Sequence, residues 1–195
     1  MTRYDHEVVG GHPALDVVNS VHDWTAAEPR DYLTGFDQAL AFGEAVGLLA
    51  QAERRPLVGR AGDRELRALR ELRERLARIF RSIVASRAPA PADLDALARD
   101  AAHAASTVTL GTVRGQVVRR IDVNRAGATT LRLRLVESAV TLLTSPSLER
   151  VKECPGCGWL FLDETRNGSR RWCSMSMCGS LAKARRYYHR KRGSG

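Results

Sequence analysis

All four cysteines of the chain fall within one 25-residue stretch, as Cys154-Pro-Gly-Cys157 and Cys173-x4-Cys178. Two pairs of thiolates can converge on one tetrahedral ion, and a two-residue gap lets a single tight turn present both sulfurs of a pair. Pro155, Gly156 and Gly158 suit that turn. The wider second spacing fits a chain curling into a helix, with one ligand just before it and one in its first turn. Two disulfides are the competing use of four cysteines, and they require an oxidising compartment. The opening residues Met-Thr-Arg-Tyr-Asp-His-Glu lack the apolar core of a signal peptide, so the expected compartment is the cytoplasm, where thiols stay reduced. Cys154, Cys157, Cys173 and Cys178 are therefore read as ligands of one structural Zn²⁺. Four thiolates close the shell, so the ion folds the segment and does not catalyse.

Charge is concentrated at the same end. Ten of the 31 Lys and Arg lie from Lys152 onward, against three of the 22 Asp and Glu, so the last 44 residues carry +7 of the net +9. No acidic residue follows Glu164. Such a segment suits a polyanion, because each neutralised phosphate releases condensed counterions. The 195 residues, 44% apolar, can bury a core, and no apolar run nears the roughly 20 residues of a membrane helix.

Upstream, the patterning is mostly helical. Pro13 followed by Leu15, Val18 and Val21 predicts a helix over 13–23, and Leu40, Ala45, Val46 and Leu49 predict another over 37–50, weakened by Gly43 and Gly47. Between Asp63 and Ser86 an apolar stripe from Leu66 to Val84 recurs at three- and four-residue spacing. The opposite face is rich in arginine, where Glu71 with Arg75 and Glu74 with Arg78 are spaced as intrahelical ion pairs. After Ala88-Pro-Ala-Pro-Ala92, a helix resumes over 93–105. Two β-branched runs, 106–113 and 116–123, flank Arg114-Gly115 as a hairpin, and 129–144 reads as a nearly buried helix.

Within the cysteine segment, Trp159-Leu-Phe-Leu162 reads as a strand and Asp163 to Ser169 as a turn. Arg170-Arg-Trp172 is expected to return as its partner strand, before a terminal helix to about Arg190. On that helix Lys183, Arg186 and Arg190 share a face flanked by Arg185, His189 and Arg192, with Arg170 and Arg171 nearby; the candidate nucleic-acid contacts are Arg170, Arg171, Lys183, Arg185, Arg186, Arg190, Lys191 and Arg192. Leu181, Ala184 and Tyr188 form the expected packing stripe. The fold class is thus α+β: a mostly helical domain with a small hairpin sheet, 1–147, then a treble-clef-like zinc finger, 148–195.

The stretch Cys-Pro-Gly-Cys-Gly-Trp-Leu-Phe (154–161), Arg171-Trp-Cys-Ser-Met175, and Cys178-Gly179 leading into Ala182-Lys-Ala-Arg-Arg resembles the CGNR zinc finger. Gly10-Gly-His-Pro-Ala-Leu-Asp-Val-Val-Asn19 looks like the opening of the ABATE domain that accompanies it. The resemblance implies a stress-related bacterial transcription regulator, whose N-terminal domain senses a small molecule or protein and whose finger binds duplex DNA. In place of the naming motif Cys-Gly-Asn-Arg, this chain has Cys178-Gly179-Ser180-Leu181. The metal ligand is kept, and Leu181 cannot contact a phosphate.

His12, Asp16 and Asn19 lie close together, and the last two share a helix face that could line a ligand pocket or serve as caps and buried hydrogen-bonding groups. No phosphate-binding glycine loop, nucleophile elbow or paired catalytic carboxylates occur, so no catalytic residue is assigned and the chain reads as a non-enzyme. Three functions stay open: a ligand-responsive DNA-binding regulator, a protein-interaction adaptor and an RNA-binding factor. Regulators commonly dimerise to read paired half-sites, so a homodimer is one compatible assembly, although no sequence feature fixes a symmetry.

Overall fold

Pro13 opens the first helix, α1 (Pro13–Val18), and His12 caps it by accepting from the Ala14 N–H at 3.4 Å. The helix is shorter than its periodicity predicts. Beyond Asn19 the chain extends, and Val21 pairs with Asp31 in an isolated bridge. The computed structural model describes residues 2–58 and 62–192, less the side chains of residues 189, 190 and 192. Helix α2 (Phe36–Ala45) ends where Gly47 takes φ +74°, a conformation that glycine adopts without strain. Gly43, a poor helix former, is needed by the packing: a Cβ there would stand 2.6 Å from a methyl of Leu131.

A short α3 (Gln51–Arg54) leads to α4 (Gly62–Val84), whose Leu66, Leu69, Leu72, Leu76, Ile79 and Phe80 are buried. The arginine face of α4 departs from expectation. Arg75 pairs with Asp100 and Arg78 with Asp93, both on α5 (Pro91–Ser106), rather than with Glu71 and Glu74 one turn back. Asp93 accepts from Nε and an Nη of Arg78 at 2.9 and 2.6 Å, a fork that an acid one turn away on the same helix does not readily offer. The expected hairpin forms as β1 (Val108–Val113) and β2 (Gln116–Ile121), turning on Arg114-Gly115 with φ 51° and 79°. After α6 (Val123–Ala126) comes α7 (Thr130–Leu143), which buries Leu131, Leu133, Leu135, Val136, Ala139 and Leu142.

The C-terminal part is built on β3 (Val151–Glu153) and β4 (Leu160–Leu162), paired antiparallel with Val151 opposite Leu162. This corrects the expected partner: β4 pairs with the strand before the first cysteine pair, and 170–172 adds no strand to it. Asp163 explains why. It is fully buried and accepts from Lys152 Nζ (2.6 Å), Thr165 N (3.0 Å), Thr165 Oγ1 (2.5 Å) and Arg170 N (2.9 Å), which folds 163–170 into a closed loop. Burial alone would raise the Asp163 carboxyl; the Lys152 ammonium and the donors from Thr165 and Arg170 outweigh it and hold it well below the usual carboxylate range. A π-helical turn, Met175–Gly179, then enters α8 (Ser180–Arg192).

One hydrophobic cluster joins the two parts: residues of α1, α2, α4 and α7 are buried together with Val151, Trp159, Leu160, Phe161 and Leu162 and all four cysteines. The finger is thus seated on the helical body. No described helix is long and apolar enough to cross a membrane.

Candidate metal centre and basic surface

The turn between β3 and β4 presents Cys154 and Cys157, while Cys173 and Cys178 arrive from the far side of the closed loop and from the π-turn. The four Sγ atoms lie within 4.8 Å of one another, with Cys157 to Cys173 at 3.6 Å and Cys173 to Cys178 at 3.7 Å. Sulfurs on a tetrahedron of about 2.3 Å Zn–S bonds stand about 3.8 Å apart, whereas a disulfide requires about 2.05 Å. The spacing therefore fits one tetrahedral zinc and no disulfide. As bare thiols the four crowd one another. Hydrogen bonds from Cys157 and Cys173 pull Cys154 far down; the same contact with Cys154 drives Cys157 up, and Cys173 is pushed up to about 12. A divalent cation removes that conflict by neutralising the thiolates together.

The body grips this centre through a set of polar struts. Asn19 donates to the Leu160 carbonyl at 2.8 Å and accepts from the Leu160 N–H at 2.9 Å, so its amide acts as one more strand residue against β4. Trp159 Nε1 donates to Val21 O at 2.7 Å, and Trp24 N to Cys157 O at 3.0 Å. Arg81 of α4 lays its guanidinium 4.5 Å from the Trp24 ring centroid and donates to Gly158 O at 3.0 Å. Leu162 N donates to Gly10 O at 2.8 Å. Sequence periodicity could not have identified these struts, because each pair lies more than 50 residues apart.

Arg170 turns inward. Its guanidinium lies 4.5 Å from the Phe161 ring centroid and donates to the carbonyls of Trp172 (3.1 Å), Leu162 (3.3 Å), Val9 (3.0 Å) and Cys173. The outward basic set is therefore Arg171, Lys183, Arg185, Arg186 and Lys191, all exposed. Arg190 and Arg192 continue α8, but their side chains lie outside the described ones. The expected packing stripe does not form. Leu181 is 59% exposed and Tyr188 64%, because α8 meets the rest of the protein mainly at the π-turn and projects away from it.

His12, Asp16 and Asn19 are brought together, but each is engaged within the protein. His12 caps α1 and lies 3.5 Å from Ser138 Oγ; burial lowers its pKa. Asp16 is buried and accepts from Gly10 N at 2.7 Å. Burial pushes its carboxyl up to about 6 from the ordinary 3.8, against the opposing pull of the Gly10 N–H. The folded chain thus favours the protonated acid, and that stabilisation is lost as pH rises through about 6. An Asp16→Asn variant, which cannot ionise, is expected to gain about 1.4 kcal/mol on the parent between pH 5 and 7. Parallel denaturant unfolding at both pH values measures it, and a gap that stays constant rejects the assignment. Acid release of zinc affects both proteins alike and cancels in the difference.

Two family comparisons bear on this architecture. The CGNR zinc finger matches residues 150–191, which span the metal centre and nearly all of α8. The ABATE family, described as "Putative stress-induced transcription regulator", matches residues 11–146, from just before α1 through the end of α7. No curated protein matches the chain. With more than two thirds of its length matched by one family and its metal-binding end by the other, the chain belongs to the ABATE family and carries a CGNR zinc finger.

Proposed function

We propose that the protein is a DNA-binding transcription regulator whose zinc finger meets DNA through Arg171 and the cationic side of α8. One observation supports this above the rest. Arg171, Lys183, Arg185, Arg186 and Lys191 are exposed, form no ion pair among the described residues, and lie in a stretch that has no acidic residue after Glu164. Unmatched cations on a projecting helix are free to take phosphates. The helical body is the part that responds to an effector, and its hydrogen bonds to the knuckle supply a physical route from one to the other.

The test is a double charge reversal, Arg185→Glu with Arg186→Glu, on the zinc-loaded full chain. Each phosphate contact contributes about −0.9 to the slope of log K against log salt, so losing two flattens the slope by about 2 and weakens binding at least about tenfold at moderate salt. Both positions are exposed, so zinc content and melting temperature stay at parent values. An unchanged affinity and slope overturns the proposed surface.

A further inference from the structure

Beside the metal centre a cleft of ≈ 460 Å³ opens between the knuckle turn and the first turns of α8, a size that accepts a small organic ligand. Its lining is of two kinds. Pro155, the Trp172 indole and Leu181 are apolar, and Arg171, Arg185 and Arg186 are cationic. The indole is braced from the backbone: a Cβ at Gly156 or Gly179 would stand 3.4 or 3.5 Å from it. The guanidinium of Arg171 lies over one face of the same ring, 5.2 Å from its centroid, which leaves the other face or displacement of this side chain for a stacking partner. Leu181, 59% exposed, faces this cleft.

A flat apolar platform surrounded by guanidinium groups matches a nucleobase with its flanking phosphates. The base stacks on the aromatic ring, and the phosphates take forked contacts from arginine. A free phosphate or carboxylate would engage only the arginines and leave Trp172 and Leu181 facing water. A base within an intact duplex is stacked on both faces and must leave the stack before it can enter. Resting on the nucleic-acid reading above, we propose that this cleft holds one unpaired nucleobase, so that the protein prefers single-stranded or locally opened DNA to intact duplex.

The experiment titrates the zinc-loaded full chain into four oligonucleotides of one sequence, each carrying a single 2-aminopurine: single-stranded DNA, intact duplex, duplex with the 2-aminopurine unpaired, and single-stranded RNA. Anisotropy reports affinity, and 2-aminopurine emission reports stacking. The single strand and the duplex with an unpaired base are expected to bind about tenfold tighter than intact duplex, with emission quenched. Leu181→Glu, at an exposed position that keeps the fold and the zinc, is expected to remove that preference and the quenching. Leu181→Arg is expected to restore affinity through charge without restoring the quenching. RNA bound as tightly as single-stranded DNA, or tighter, also supports the cleft and identifies RNA as the source of the base. Equal affinity for single strand and intact duplex, with unquenched emission, overturns the cleft and leaves the phosphate-contacting surface standing. Absence of binding to all four at low salt overturns both.

Discussion

Cys173→Ser is expected to abolish stoichiometric zinc and to unfold the helical body along with the finger. Structural zinc sites contribute apparent binding free energies of about 10–16 kcal/mol, as large as the entire stability of about 5–15 kcal/mol that a domain commonly has. If the finger were a tethered appendage, its loss would leave the body intact. Here Trp159, Leu160, Phe161 and Leu162 are buried in the same cluster as α1 and α4, and unfolding the knuckle strips that cover away. Phe161 is fully buried, and removing a buried phenylalanine side chain by itself costs about 3–5 kcal/mol. Metal analysis coupled to helical circular dichroism across a thermal scan provides the measurement. Titrating the folded parent with a zinc chelator gives the same answer if the variant aggregates. Helical signal that melts at the parent temperature after zinc is gone would falsify the shared-core account.

The second large effect is at Asn19. Replacing it with leucine, which keeps the branched side-chain skeleton but has no polar group, is expected to cost about 2–4 kcal/mol with zinc fully retained, since both the N–H and the carbonyl of Leu160 lose their buried partner. For a chain of this size that lowers the melting temperature by about 4–16 °C. Asn19 was a candidate for a ligand pocket on sequence grounds, and a pocket residue gives the opposite result: an unaltered melting temperature in the absence of effector. A shift under about 2 °C therefore removes the strut role assigned by the structure.

What the sequence made legible follows the range of the interactions. The metal ligands were readable because their chemistry depends on spacing within 25 residues, and α4, α5 and α7 because helical periodicity is local. The hairpin at Arg114-Gly115 was readable from its turn chemistry. The strand partner of β4 was not, because three-residue strands carry too little pattern, and Asp163 closes a loop where the residue pattern points to a turn and a returning strand. Arg170 and Arg171 are adjacent, equally basic and indistinguishable by composition. Only the carbonyls of Val9, Leu162, Trp172 and Cys173, converging from distant parts of the chain, draw the first inward and leave the second outside. Asn19 shows the same limit. A buried asparagine serving a strand 141 residues away looks, in one dimension, like a polar residue awaiting a ligand.

Helix α8 has 13 residues and so extends about 20 Å from its root at the π-turn. Rooted there, and with its described side chains beyond the first turn mostly exposed, it has the form of a lever arm. A tilt of about 10° at the knuckle carries its far end through about 3.4 Å, comparable to the spacing of successive base pairs along a duplex. The fulcrum is the metal centre, and Trp24, Arg81 and Asn19 press on it from the body. On the regulatory reading proposed above, a small displacement of the helical core would be enlarged at the end that carries the charges.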